Sequence, residues 1–240
     1  MAERIRIQKA LSNAGLMSRR AAEMAISADR VRVNGRPVNL GDRVDVETDL
    51  LTVDDVPVPV NPDLETYLLY KPLGVVSTAQ DTHGRPTVVD LVGSDTRLYP
   101  VGRLDADSEG LILVSNDGEL TNRVTHPRYG ITKRYVALVD GVPSDKQVRL
   151  LSMGIQLDDG VAAARSARLL GVAEGRGMVE LVMTEGRNRE VRRMMGAIGF
   201  TVTSLVRTAI GPISDRALRP GESRLLTPGE IQRLLGSGAS

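Results

Sequence analysis

Apolar residues recur at helical spacing at Ile7, Leu11 and Ala14, and Gly15 is placed to end that first helix. Ser18 is a good N-cap for a second helix whose inner face carries Ala21, Ala22, Ala25 and Ile26. Alternation then replaces helical spacing. Val31 and Val33 lead into Asn34-Gly35, a strong hairpin signal, and Val38 and Leu40 continue on the return strand. Two short helices and a hairpin predict a compact unit over residues 1–60. An acidic stretch studded with Pro57, Pro59 and Pro62 closes it as a linker.

Residues 61–240 form a longer second domain. Tyr67-Leu68-Leu69-Tyr70 reads as a strand stopped by Lys71-Pro72-Leu73-Gly74, and residues 87–92 read as a short helix. Residues 98–101 and 110–115 are strands on either side of a turn, and Asp117 can cap a helix running to about Val124. Further strands are expected over 133–139, 161–170 and 178–183, with a helix over 144–153. A last helix starts at Asn188 as N-cap and stops at Gly199, with Val191, Met195 and Ile198 as its apolar stripe.

Composition narrows the chemistry. Forty-one per cent apolar and 25% charged residues describe an ordinary soluble globular chain. The absence of cysteine excludes disulfides, thiol catalysis and Cys-ligated metal, and two histidines (His83 and His126) make a His-rich metal site an unlikely design. No apolar run approaches a membrane span and the N-terminus lacks a signal-peptide core, so a cytoplasmic protein is expected. One Phe, no Trp and five Tyr leave little for stacking nucleic-acid bases. The net charge of +1 hides segregation: residues 1–40 are rich in Arg and Lys, whereas residues 41–65 are acidic with Arg43 their one cation. A basic module beside an acidic linker suits anion binding, and it also suits a solvated surface.

Two stretches carry candidate chemistry. In the first, Pro100-Val101-Gly102-Arg103-Leu104-Asp105 runs into a Gly-containing turn ahead of the apolar Leu111-Ile112-Leu113-Val114. Such a turn can present Asp105 to a cleft while Leu104 anchors inward, or it can hold a solvated turn acid. Asp107 reads as structural, capping the turn with Ser108 and Glu109. In the second, Arg189, Arg192 and Arg193 form a cationic stripe at three- and four-residue spacing. Like charges stacked this way repel unless they meet anions, and phosphates or a buried carboxylate would serve.

Resemblance sharpens both. Arg6-Ile7-Gln8-Lys9-Ala10-Leu11, Ser18-Arg19-Arg20-Ala21-Ala22 and Val31-Arg32-Val33-Asn34-Gly35 resemble the S-four RNA-binding domain. The remainder resembles the pseudouridine synthase family, in the branch that modifies ribosomal RNA and carries an S-four domain in front. The matching residues, in order, are Lys71-Pro72-Leu73-Gly74, Asp81 with Gly84-Arg85, Asp90-Leu91, Gly102-Arg103-Leu104-Asp105, Asn116-Asp117-Gly118, His126-Pro127, Lys133 with Tyr135, and Gly186-Arg187-Asn188-Arg189-Glu190-Val191-Arg192-Arg193-Met194. The domain order and the last of these motifs lean toward the large-subunit type.

The resemblance implies an α+β chain: a small helix-helix-hairpin RNA-binding domain, then a mixed-sheet catalytic domain of two ferredoxin-like halves meeting at a cleft. It implies ribosomal RNA as partner, as naked RNA or as an assembly intermediate, and a monomer with no cofactor and no metal. Asp105 is implied as nucleophile or electrostatic partner. Tyr135 is implied to pack on the target base, and Arg192 to pair with Asp105. Lys9, Ser18, Arg19 and Arg20 are expected to face structured RNA. Arg103 is expected to fill the space left by an extruded base, and Arg187, Arg189, Arg193 and Arg207 to contact phosphates. Neither histidine receives an acid–base role. Two other readings share parts of this pattern: a non-catalytic ribosome-assembly factor, and an N-glycosidase that releases the base.

Overall fold

The computed structural model describes residues 4–14, 16–46, 48–58 and 64–237. Gly15, Pro59 and Pro62, all discussed above, lie outside them. The described residues fall into two compact units, the first taking the chain up to Glu65 together with Ser94–Leu98 and Asn116–Gly118.

In the first unit β1 (Arg4–Arg6) leads into α1 (Ile7–Asn13), then α2 (Arg19–Ser27) and β2 (Val31–Val33). The Ser18 hydroxyl accepts from the Ala21 amide at 3.2 Å, the expected N-cap of α2. Asn34 (φ 52°) and Gly35 (φ 78°) make the expected tight turn into β3 (Arg36–Pro37). The return strand is shorter than expected, and Leu40 is exposed. The acidic stretch departs further from expectation. It folds as β4 (Arg43–Asp45), β5 (Leu51–Val53) and β6 (Val56–Pro57), with β4 on β1 and β5 between β2 and β6. Val44, Leu51, Val53 and Val58 join Ile7, Leu11 and Ile26 in the core of the unit. The acids occupy the turns: Asp54 and Asp55 adopt left-handed backbone and pair with Arg30 and Arg32. The segregated charge of the sequence is thus partly neutralised within the module.

The second unit is built on one mixed sheet. Its elements are β7 (Thr66–Lys71), β8 (Tyr99–Val101), β9 (Glu109–Ser115), α3 (Gly118–Thr125), β10 (Lys133–Asp140), α4 (Asp145–Met153), β11 (Ile155–Leu157), β12 (Gly160–Ala162), β13 (Ser166–Ala173), β14 (Arg176–Met183), α5 (Glu190–Ala197), β15 (Val202–Ile210), β16 (Ser223–Leu225) and α6 (Pro228–Gly236). The order across the sheet is β13-β14-β10-β15-β9-β7-β16, with β8 also on β9. Two apolar cores serve its two halves. One packs α4 and α5 residues such as Leu151, Met194 and Met195 on β10, β14 and β15, and the other packs Leu120, Val124 and Leu234 on β7 and β9.

The halves join where β9 and β15 run parallel, with Gly110 opposite Arg207. Gly110 has φ +107°, and a Cβ there would lie 2.3 Å from the Arg207 carbonyl oxygen, so only glycine permits this approach.

Three predicted elements change. Residues 87–92 form a turn closed by Thr87 and Asp90, whose backbone amides are bonded to each other's side chains (2.8 and 3.3 Å), and no helix propagates from it. The strand expected over 161–170 breaks into β12 and β13. α5 is entered through Arg189, in left-handed conformation at φ 49° and without a side-chain cap, so Asn188 is not the N-cap.

Candidate active site

Asp105 lies in the turn between β8 and β9, and the backbone of that turn is held residue by residue. Five consecutive carbonyls each accept a hydrogen bond. Arg207 Nη1 donates to Arg103 O (3.3 Å), Ser77 Oγ to Leu104 O (2.8 Å) and the Ser108 amide to Asp105 O (3.0 Å). The Gly74 amide donates to Ala106 O (2.8 Å) and Arg192 Nη2 to Asp107 O (2.7 Å). Leu104 is buried beneath the turn, as the sequence suggested. Against this saturated backbone, the Asp105 carboxylate makes no hydrogen bond or ion pair with a described residue. A loop held this completely fixes the position of the one side chain it leaves open.

The carboxylate faces a cleft of 150 Å³ whose apolar walls include Leu104, Met183, Val191 and Leu205. Tyr135 lines this cleft and also an adjoining one of 420 Å³ that reaches Val101, Thr125 and Pro127. The pairing of β10 with β15 shifts register at Arg134/Tyr135, leaving Thr208 as the extra residue, and such bulges re-aim side chains beside active sites. Leu205, Arg207 and Ala209 are all inward, so Arg207 is buried under Tyr135. Its Nε donates to Leu111 O at 2.6 Å, its Nη1 approaches the Tyr135 hydroxyl at 3.4 Å, and the guanidinium carbon lies 6.0 Å from the ring centroid.

Two lysines complete the surroundings. Lys71, at the end of β7, is fully buried, and its Nζ donates to Val75 O (2.8 Å) and Pro72 O (3.0 Å). Burial lowers its pKa to about 8, while the nearby charges of Asp105, Asp107 and Glu109 work against the drop. Lys133, lining the larger cleft, donates to Val124 O (2.7 Å) and Ile131 O (2.8 Å), and burial likewise lowers it to about 8. Sequence reasoning assigned neither lysine a role. Lys71 shares a strand face with Leu69, the one signal that could have found it buried.

The arginines depart most from expectation. Arg192 does not pair with Asp105. Its guanidinium donates to the backbone of Asp107 and to Val202 O (2.9 Å), and its Nε lies 3.4 Å from the Asp107 carboxylate. It therefore holds the turn one residue pair downstream of the acid it was expected to bind. Arg207 is no surface phosphate contact, because it is buried among backbone carbonyls; the alternation of β15 carried that signal. Carboxylates also occupy the cationic stripe. Arg189 pairs with Asp107 at 2.9 Å, and Arg193 grips both oxygens of Asp159 at 2.8 Å. Arg187 pairs with Glu185 at 2.9 Å and donates to Val161 O. The stripe meets carboxylates of the protein itself, but partly exposed ones rather than the buried one expected. Burial favours the neutral form of Asp107, but the bond from Arg189 and the charges of Arg192 and Arg189 outweigh it and hold the acid below the ordinary range. Asp107 was expected to cap the turn with Ser108 and Glu109; its carboxylate instead pairs with Arg189 and Arg192.

Arg103 remains exposed at the mouth of both clefts, with no carboxylate within salt-bridge distance among the described residues. In the first unit Ser18, Arg19 and Arg20 are exposed at the start of α2 and Lys9 is half-buried, and no described carboxylate pairs with these three cations.

Comparison with known proteins identifies the family of both parts of the chain. Residues 65–197 match the RNA pseudouridylate synthase family and residues 5–50 match the S4 domain. An RNA pseudouridine synthase of Mycobacterium leprae is 46% identical over 96% of this chain and 92% of its own. Ribosomal large subunit pseudouridine synthase B of Bacillus subtilis is 43% identical over 95% of each chain. Among solved structures, a crystal structure of a pseudouridylate synthase superposes with a TM-score of 0.67 at 29% identity, covering 96% of this chain and 99% of that one. The family match over residues 65–197, together with relatives 43–46% identical along nearly the whole chain, places this chain in the RNA pseudouridylate synthase family, with an S4 domain at its N-terminus.

Proposed function

We propose that this protein converts one specific uridine of large-subunit ribosomal RNA to pseudouridine, with Asp105 as the reactive carboxylate. In that reaction the bond from ribose C1′ to N1 of the base breaks and the base turns. C5 then bonds to C1′, the C5 proton leaves, and N1 gains a proton. The chemistry needs an ionised carboxylate near the sugar or base, a group beside C5, and a cleft that retains the freed base. One observation carries the reading: the turn engages all its own carbonyls and leaves the Asp105 carboxylate open to the cleft that Tyr135 lines. In this reading Tyr135 packs on the base and assists at C5. Arg207, buried against the Tyr135 hydroxyl, takes the place expected of Arg192 as the cation behind the site. Arg192 is a positioning residue that steadies the turn.

The substrate reading leans on the relative from Bacillus subtilis, whose name specifies the large subunit. A uridine in structured RNA must leave its stack, at a cost of a few kcal/mol, and the exposed Arg103 is positioned to occupy the space it vacates. Lys9, Ser18, Arg19 and Arg20 dock the RNA through its backbone and shape. Arg187, Arg189 and Arg193 reach phosphates only by exchanging their carboxylate partners. The test is a pseudouridine map of ribosomal RNA from cells with the protein, without it, and with Asp105→Asn. One large-subunit site is expected to vanish in the last two. A site lost only on deletion would overturn the role of Asp105, and an unchanged map with RNA binding intact would favour an assembly factor.

A further inference from the structure

We propose that Ser77 is a positioning residue for the isomerisation, aiming the Asp105 carboxylate through the backbone of Leu104. Its hydroxyl donates to Leu104 O at 2.8 Å and accepts from Leu104 N at 3.1 Å. One atom therefore grips both peptide groups that flank Leu104, and the second of these carries the Asp105 Cα. Rotating that peptide would swing the carboxylate across the cleft, and it would stretch the hydrogen bonds that the Ser77 hydroxyl makes.

The grip works because Ser77 is itself anchored. The Val76 amide donates to Pro86 O (3.0 Å), and Val76 O accepts from the Val88 amide (3.0 Å). On the other side, Lys71 Nζ holds Val75 O, and the Gly74 amide holds Ala106 O just past the catalytic residue. The segment thus contacts the turn on both sides of Asp105 without touching its side chain. Gly74 uses a backbone amide, which almost any residue could supply. Position 77 requires a side chain that is short and both donates and accepts, which only Ser and Thr provide at that length.

The inference rests on Asp105 being the reactive group, so the experiment carries Asp105→Asn as a separate arm. Ribosomal RNA tritiated at uridine C5, from cells lacking the protein, is used as substrate, and tritium release is followed in single-turnover and steady-state modes. Ser77→Ala is expected to lower kcat about 10- to 100-fold, as small misplacements of reacting groups do, with KM unchanged within about twofold. Ser77→Thr should recover kcat to within about threefold, because its hydroxyl restores both bonds. Ser77→Cys, close in volume but a weak hydrogen-bonding group, should fall between them, and it substitutes for Ala should that variant fail to fold. A wild-type kcat in Ser77→Ala or Ser77→Cys would overturn the inference, as would equal losses in Thr and Cys, or a loss confined to KM. Full activity in Asp105→Asn would instead overturn the reading of the acid. No turnover by the native enzyme would overturn the choice of RNA.

Discussion

The turn of residues 103–107 and the stripe of residues 187–193 carry charge in opposite ways. In the turn, donors from three separate parts of the fold saturate the backbone and leave one carboxylate open. In the stripe, every guanidinium expected to be free is bound to a carboxylate, and those carboxylates keep between 44 and 47% of their side-chain surface exposed to solvent. Asp105 and Asp107 mark the contrast within two residues, since Asp107 belongs to the stripe's network and Asp105 does not. Buried donors on backbone carbonyls confer position, because each bond lost would leave a desolvated acceptor. Exposed ion pairs contribute little stability and exchange readily with other ions, so they can yield to RNA phosphate.

The comparison can be broken most sharply at the two acids. Asp105→Asn should reduce turnover by about a thousandfold or more, whereas Asp107→Asn should cost about tenfold or less, since the five donors to the turn's carbonyls remain. Tritium release from C5 measures both, and equal losses would collapse the distinction. Next in size is Gly110→Ala, which drives a Cβ into the Arg207 backbone and imposes φ +107° on a side chain. A loss of about 3 kcal/mol or more in urea unfolding is expected; an unperturbed midpoint would mean that the β9–β15 junction is looser than described.

Replacing both Arg19 and Arg20 by Ala should weaken RNA binding and reduce the slope of log affinity against log salt by about one unit per lost phosphate contact. An unchanged slope would remove the docking role of α2. Lys71 offers a pH test. Its folded pKa of about 8 lies below the value of 10.5 ordinary for lysine, so the folded chain releases its proton first as pH rises. Burial of the charged form destabilises the fold below pH 8, and that penalty is relieved between pH 8 and 10.5. Stability should therefore rise across that window relative to Lys71→Met, by about 1 kcal/mol or more. Parallel curves would show that the lysine titrates normally. The smallest effect belongs to the stripe. Asp159→Asn frees Arg193 and part of Arg187, and RNA affinity at low salt should improve about two- to threefold, reading out as a modestly steeper salt slope.

Much of this molecule was determined by its sequence alone. The N-cap at Ser18, the turn at Asn34-Gly35, the strands around the Asp105 turn and the helix over 144–153 follow from local chemistry, and the ordered motifs identified the family. Local pattern misread places where apolar and polar positions interleave. The acids of residues 41–58 suggested a linker, yet Val44, Leu51 and Val53 alternate among them and form core strands. Only the tertiary structure decided what each cation holds. Arg192 and Arg207 are alike in sequence, and their partners lie 85 and 96 residues away along the chain. A hydrogen bond depends on distances of a few tenths of an ångström, and those are set where β9 meets β15, a junction between distant segments that no local spacing encodes.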